Sequence, residues 1–286
     1  MHTLAEVLPA WGEAHLDFLQ RHAPYTHGVP GGRWLTILMN RIDQASVQAA
    51  FTSWVRDTWP ERPDVIAIDG KTGRRSHDRA IGDPPPYLVS AFATTSRLVL
   101  GQEVVADKSN ELTAIPVLLA RLAEGDRLRG ALVSIDAIAT NGTIATAIRQ
   151  AGADYLLAVK ANQPRLRADI EACFNDAPAG SVDRFTEYDK GHGRIERREI
   201  AVIREVDWLS GDRRFPGELR LPAAASIVRV RAHIQRRATT HTETRYHISS
   251  AILGAERAGP AIRGHWGIEN RLHWVLDVTF NGKRRV

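Results

Sequence analysis

A single cysteine, Cys173, stands in a chain of 286 residues. That excludes an intrachain disulfide framework and most thiolate metal sites. Its setting, "IEACF", predicts a thiol inside a helix. No apolar run reaches the ~18 residues that a spanning helix requires. The opening residues lack a basic stretch followed by an apolar core, which argues against a signal peptide. These absences predict a cytoplasmic protein without a membrane partner. Neither sign of charge dominates: 38 Lys and Arg against 33 Asp and Glu leave +5, with an isoelectric point near 9.6. Such a balance favours a polyanionic partner only modestly. The arrangement says more, because basic residues gather in "GKTGRRSHDR", "KGHGRIERRE", "RVRAHIQRR" and "GKRRV". Taken alone, these clusters are equally well explained as a solvated face.

Residues 1–60 carry helical spacing, interrupted at Pro9 and by the turn segment "APYTHGVPGG". Asp43 is placed to cap the helix that follows it. This region reads as a small helical module, with a turn that admits a helix-turn-helix role in DNA binding. The pattern changes in residues 61–286. "VIAID", "PYLVSAFA" and "RLVLGQEVVA" predict strands, and "NELTAIPVLLARLAEG" predicts a helix capped by Ser109 or Asn110. Then "ALVSIDA", "NGTIATAIRQAGA", "DYLLAVK" and "NQPRLRADIEACFND" alternate strand and helix. That order predicts an α/β fold, a mixed sheet with helices on both faces. Residues about 175–250 read as a β-rich insertion with strands at "REIAVIREV", "ASIVRVRAHI" and "TRYHISS". A last helix then returns to the main sheet.

Two acids close buried strands: Asp69 after "VIAI" and Asp136 after "ALVSI". Capping is the bland explanation for each. Two acids at matching strand positions point instead to convergence, because an unpaired buried carboxylate is costly. The last helix, "GHWGIENRLHWVLDVTF" at 264–280, aligns His265, Glu269, His273 and Asp277 at steps of four. A surface ladder is one explanation and zinc another. His265 to His273 spans roughly 12 Å along an α-helix, too far for one zinc ion. Glu269 aimed at Asp69 and Asp136 is the better reading. An all-carboxylate set favours Mg²⁺ or Mn²⁺. Two ions held about 3.5–4 Å apart suit phosphoryl transfer, with Asp69 bridging and Asp136 and Glu269 holding one each. Basic segments nearby, including Lys71, Arg74 and Arg75, would hold a phosphate backbone.

Eight blocks now stand in order: "VIAIDGKTGRRS", "HDRAIGDPPPYLVSAFA", "LVLGQEVVADKSNELTAIPVLL", "ALVSIDA", "DYLLAVKANQP", "GHGRIERRE", "YHISS" and "HWGIENRLHWVLDVTFN". Over roughly residues 10–282 they resemble the DDE transposases of bacterial insertion sequences, in the branch of the H-repeat-associated proteins. The resemblance implies a ribonuclease-H-like core with a β-rich insertion before the last catalytic helix. It implies Asp69, Asp136 and Glu269 as metal-binding catalytic residues, and strand cleavage and strand transfer at insertion-sequence ends. DNA contacts are expected from Lys160, Asn162, Gln163, His192, Arg194, His265 and His273. Transposon-end DNA, target DNA and a homodimer in the DNA complex are the implied partners.

The resemblance has departures. Related cut-and-paste transposases often place a tyrosine, an arginine and a lysine around the catalytic glutamate. Ile262, His265 and Leu276 stand here. Both ends look shortened against the family pattern, so an inactive remnant is one expectation. A metal-dependent nuclease without strand transfer and a catalytically silent DNA-binding protein remain the alternatives.

Overall fold

The computed structural model describes residues 4–58, 65–73, 87–105, 110–191, 194–236 and 239–274. Arg74, Arg75, His192, Ser109, Leu276 and the terminal basic segment lie outside the described residues. The described residues up to Thr58 and those from Val65 to Trp274 belong to two compact units.

The helical unit contains α1 (Leu4–Ala14), α2 (Leu16–Leu19), α3 (Gly32–Arg41) and α4 (Gln44–Thr58). Asp43 caps the start of α4 as its position predicts. Its Oδ2 accepts from the Ser46 N–H at 2.8 Å and from the Ser46 hydroxyl at 2.6 Å. This satisfies one donor that the first helical turn leaves without an intrahelical acceptor. Trp11, Phe18, Trp34, Met39 and Trp54 remain exposed in this unit.

Among the described residues, the larger unit is built on nine strands. They are β1 (Val65–Thr72), β2 (Tyr87–Ala93), β3 (Leu98–Val105), β4 (Leu132–Ile135), β5 (Asp154–Val159), β6 (Asp183–Gly191), β7 (Arg194–Ile203), β8 (Ser226–Arg236) and β9 (Thr239–Ser249). The sheet order is β3-β2-β1-β4-β5-β9-β8-β7-β6. β1 is antiparallel to β2 and parallel to β4, and β4 is parallel to β5. Between these strands lie α5 (Glu111–Glu124), α6 (Gly142–Gln150) and α7 (Pro164–Asp176). This is the mixed sheet with helices that the alternation of apolar runs predicts. "VIAI" and "LVSI" are buried throughout, as strands covered on both faces must be.

The insertion contains a fourth strand, β6, and continues the main sheet. β6 reads "DRFTEYDKG", with few apolar residues and little burial. Its nine-residue pairing with β7 makes it a strand, which hydrophobic pattern alone cannot reveal. β9 pairs with the outer edge of β5, from Leu156↔Ser249 to Val159↔Tyr246. That edge presents unpaired backbone donors and acceptors, and β9 satisfies them.

The chain returns through α8 (Ala255–Gly267). Ala258, Ala261 and Ile262 bury themselves against Val65, Leu132, Leu156, Val228 and Val230. Side chains alternate along a strand, so Ala67 and Asp69 share the α8 face with Val65. Ile66 and Ile68 point to the opposite face, where α5 packs on β2 and β3. Cys173 lies in α7 and is partly buried; burial raises its thiol pKa, so it stays protonated. Asn110 begins α5 without a side-chain cap.

Candidate active site

Parallel pairing runs in register from Val65↔Leu132 to Ile68↔Ile135. The next residue on each strand is an acid, Asp69 and Asp136. Neighbouring strands lie about 4.8 Å apart, so the two acids stand side by side at the carboxyl ends of adjacent strands. Asp136 precedes a short 3-10 turn but does not cap it with its side chain. Both its oxygens face Lys160 instead, with Nζ at 2.6 and 2.8 Å.

The last helix crosses the same face. His265 Nδ1 meets the Ser134 hydroxyl at 3.1 Å. Further along, the helix widens into a π segment, Ile268–His273. Ile268 is fully buried against Ala67 and Phe92. His273 Nδ1 comes 3.5 Å from Asp69 Oδ2, at the long limit of a hydrogen bond. Glu269 is thus carried on a turn bound to β1 at both ends. The column at steps of four is not a surface ladder. His265 and His273 turn inward, while Glu269 remains solvent-accessible. π turns of this kind re-aim side chains and recur at functional sites.

The acids are coupled electrostatically. Burial pushes the Asp69 carboxyl up to about 7, with Glu269, Glu111 and Asp136 adding to the rise against the Gly70 N–H. Partial burial and then the Asp136 charge raise Glu269, opposed by Lys160, Arg245 and Lys71. Burial also pulls Asp136 upward, yet the Lys160 hydrogen bond, the Ala137 N–H and the charges of Lys160 and His265 outweigh it. Asp136 ends below its ordinary value. Carboxylates that raise one another's proton affinity favour a cation between them, and the Lys160 ammonium is one cation already placed there. The donor chemistry fits a hard divalent ion. Among the described residues, no three His, Cys, Asp or Glu side chains are grouped tightly enough to hold one. His265 and His273 engage different strands, which leaves the zinc arrangement without support.

The other candidate residues divide by task. Lys71 follows Asp69 on β1 and its charge reaches Glu269. The Asn162 amide donates to the Ala137 carbonyl at 3.0 Å and the Gln163 amide to the Thr140 carbonyl at 2.7 Å. These donors hold the loop after Asp136. Arg194 starts β7, 3.5 Å from Glu196. It lines a groove of about 880 Å³ between β7–β9 and the last helix, with Arg198, Arg245, Arg263, Trp266 and Arg271 also contributing. Arg198 and Arg263 share Glu187, and Arg245 is held by Glu243. No ion pair is seen for Arg271 among the described residues. The sequence reading missed Ser134, although it sits two residues before Asp136 on the same strand face. It also missed Arg245, whose guanidinium stacks over Trp266 at 4.6 Å.

His247 supplies a pH-dependent term beside this site. It is 9% exposed, and its Nδ1 has no hydrogen-bond partner among the described residues. Burial, then the charges of His265 and Arg245, depress its pKa to about 3. The unfolded ring titrates near 6.5, so its contribution is complete above that pH and falls away as pH drops towards 3. The slope is at most about 1.4 kcal/mol per pH unit. His265 acts in the same direction and Asp69 in the opposite one, so the comparison must be with a variant. Urea unfolding of His247→Gln should show a shallower loss of stability between pH 6.5 and 4.5 than wild type, by close to one proton. Parallel curves would show that His247 is not buried as a neutral ring.

A family model described as "Transposase DDE domain" matches residues 60–285. The "H repeat-associated putative transposase YhhI" of Escherichia coli K12 is 36% identical over 281 residues, covering 96% of this chain and 72% of that one. The "Putative transposase YncI" of Escherichia coli O157:H7 is 34% identical over 276 residues, covering 95% and 69%. Among solved structures, the piggyBac transposase synaptic complex with hairpin DNA aligns at a TM-score of 0.41 and 10% identity, covering 86% of this chain and 51% of that one. The family match over most of the sequence and these relatives identify the chain as a member of the DDE transposase family, an enzyme of the transposase type.

Proposed function

We propose that the chain cleaves DNA at the ends of an insertion sequence and transfers the liberated strand to a target, with Asp69, Asp136 and Glu269 holding divalent cations. Family membership supports DNA as the partner and a divalent metal requirement in general. The observation that carries the specific reading is the register that sets Asp69 beside Asp136 beneath the Glu269 turn. Mg²⁺ or Mn²⁺, as a pair of ions, would activate the attacking oxygen and stabilise the departing one at phosphorus. Lys160 neutralises Asp136 and stands ready for a phosphate oxygen. Ser134 fixes the His265 ring beside Asp136. Asn162 and Gln163 hold the Asp136 loop in place, so the acid is set before substrate arrives. Two DNA ends brought together call for a homodimer in the complex, and the cytoplasm is the proposed location.

Purified protein incubated with the DNA ends of its encoding element and a target, with and without Mg²⁺ or Mn²⁺, tests the reading. Cleaved and joined products are expected only with metal. Cleavage without joining would assign a nuclease. DNA binding without cleavage would assign a silent binding protein.

The groove gives a separate expectation. Arg194→Ala and Arg271→Ala should each weaken DNA binding and reduce the slope of log affinity against log salt by about one. Fluorescence anisotropy across a salt series reads both quantities. Unchanged affinity and slope would remove either arginine from the DNA path.

A further inference from the structure

Behind the acid centre, on the opposite face of the sheet, lies a buried carboxylate that the proposed reaction does not use. Glu111 opens α5 and is 3% exposed. The Tyr87 hydroxyl donates to Glu111 Oε2 at 2.8 Å, and Tyr87 is itself 5% exposed. Burial, then the Glu111 hydrogen bond, strengthens the phenol's hold on its proton, so Tyr87 stays a donor. Antiparallel register pairs Thr72 with Tyr87 and Gly70 with Val89. Tyr87 and Gly70 therefore share a face as diagonal neighbours. The phenol occupies the space that any side chain at position 70 would need, because a Cβ there would lie 2.2 Å from the Tyr87 oxygen. The Gly70 N–H in turn donates to Asp69 Oδ1 at 2.9 Å. One continuous run of contacts passes from Glu111 through Tyr87 and Gly70 to the Asp69 carboxylate.

We propose that Tyr87 and Glu111 are positioning residues for the acid centre: Glu111 fixes the Tyr87 ring, the ring backs the Gly70 peptide, and that peptide aims the Asp69 carboxylate. The proposal rests on the reading of Asp69 as a cation ligand. It explains why glycine follows Asp69 although no positive φ is required there. It also gives a buried Tyr–Glu pair a task beyond core packing. Groups that orient a metal ligand from behind typically change affinity or activity by about 10–100-fold when lost. A pair that served packing alone would change stability and leave cation affinity untouched.

The test uses the full chain and Mn²⁺ alone, by calorimetry, beside metal-free DNA affinity and cleavage kinetics. Tyr87→Phe should weaken Mn²⁺ binding about tenfold and lower kcat by a similar factor, with KM for DNA unchanged. Glu111→Gln keeps an acceptor for Tyr87 and should stay within about twofold of wild type. Glu111→Leu should match Tyr87→Phe. Urea unfolding identifies any variant that is not folded, and Tyr87→Phe with Glu111→Gln decides the question without Glu111→Leu. Asp69→Asn separates the two readings. If it abolishes Mn²⁺ binding while Tyr87→Phe binds and cleaves as wild type, the positioning role is overturned and the cation site stands. If wild type binds no Mn²⁺, the cation site falls and the positioning role with it.

Discussion

Asp69→Asn should lower metal-dependent cleavage by about a thousandfold or more, equivalent to roughly 4 kcal/mol of transition-state stabilisation. The same variant should bind DNA as tightly as wild type, or more tightly, because one negative charge leaves the phosphate path. It should also be more stable. Asp69 is partly buried beside other acids, and this pushes its carboxyl up to about 7 in the folded protein. An unfolded aspartate titrates near 3.9. The folded state therefore binds the extra proton between those values, and stability falls as pH rises through that window. Above pH 7 the full penalty of the buried charge is present; at pH 4 it is absent. An amide carries no such penalty, so the gain from Asp69→Asn should be large at pH 8 and small at pH 4.5. Calorimetric unfolding at the two pH values, with cleavage assayed at pH 8, reads both effects. Equal stability gain at both values would remove the buried charge as the cause. Retained cleavage would remove Asp69 from the reaction.

That trade of stability for chemistry explains what the sequence made legible. "VIAI" and "ALVSI" are strands because their β-branched, apolar residues can be buried on both faces. An acid at the end of each is conspicuous because burial is costly. What spacing cannot show is the partner strand. That Ile68 pairs with Ile135, and so sets Asp69 beside Asp136, depends on a parallel crossover through α5. The Tyr87–Glu111 pair was hidden for the same reason. Each residue alone reads as an ordinary strand or first-turn residue, and only the register across β1 and β2 brings them behind Gly70. β6 escaped notice because its stability comes from pairing with β7, not from an apolar stripe. The π segment is invisible to a period-3.6 argument, which assigns His265, Glu269 and His273 one continuous face. Buried contacts at Ser134, Ala67 and Asp69 are what pull the histidines inward and leave Glu269 accessible.

Ile268 is the residue on which the position of Glu269 most depends. Its side chain is fully buried, wedged between Ala67 and Phe92, with Val99 and Leu272 closing the cluster. Ala67 lies two residues before Asp69 on the same strand face, so this contact ties the helix turn to the strand carrying the first acid. A π turn gives its backbone less regular hydrogen bonding than an α turn, and packing must hold it. Ile268→Ala should cost about 2–5 kcal/mol, the range for emptying a buried aliphatic site. It should also reduce cleavage by about a hundredfold at temperatures where the variant remains folded, because ångström-scale displacement of a ligand is enough to do so. Ile268→Val fills most of the same space and should cost about 1 kcal/mol, with cleavage close to wild type. Comparing both variants well below their unfolding midpoints, and titrating Mn²⁺ against each, separates misplacement from unfolding. If Glu269 has been displaced, Ile268→Ala will need more Mn²⁺ for half-maximal cleavage. A folded Ile268→Ala protein with wild-type metal dependence and rate would mean that Glu269 is held from elsewhere.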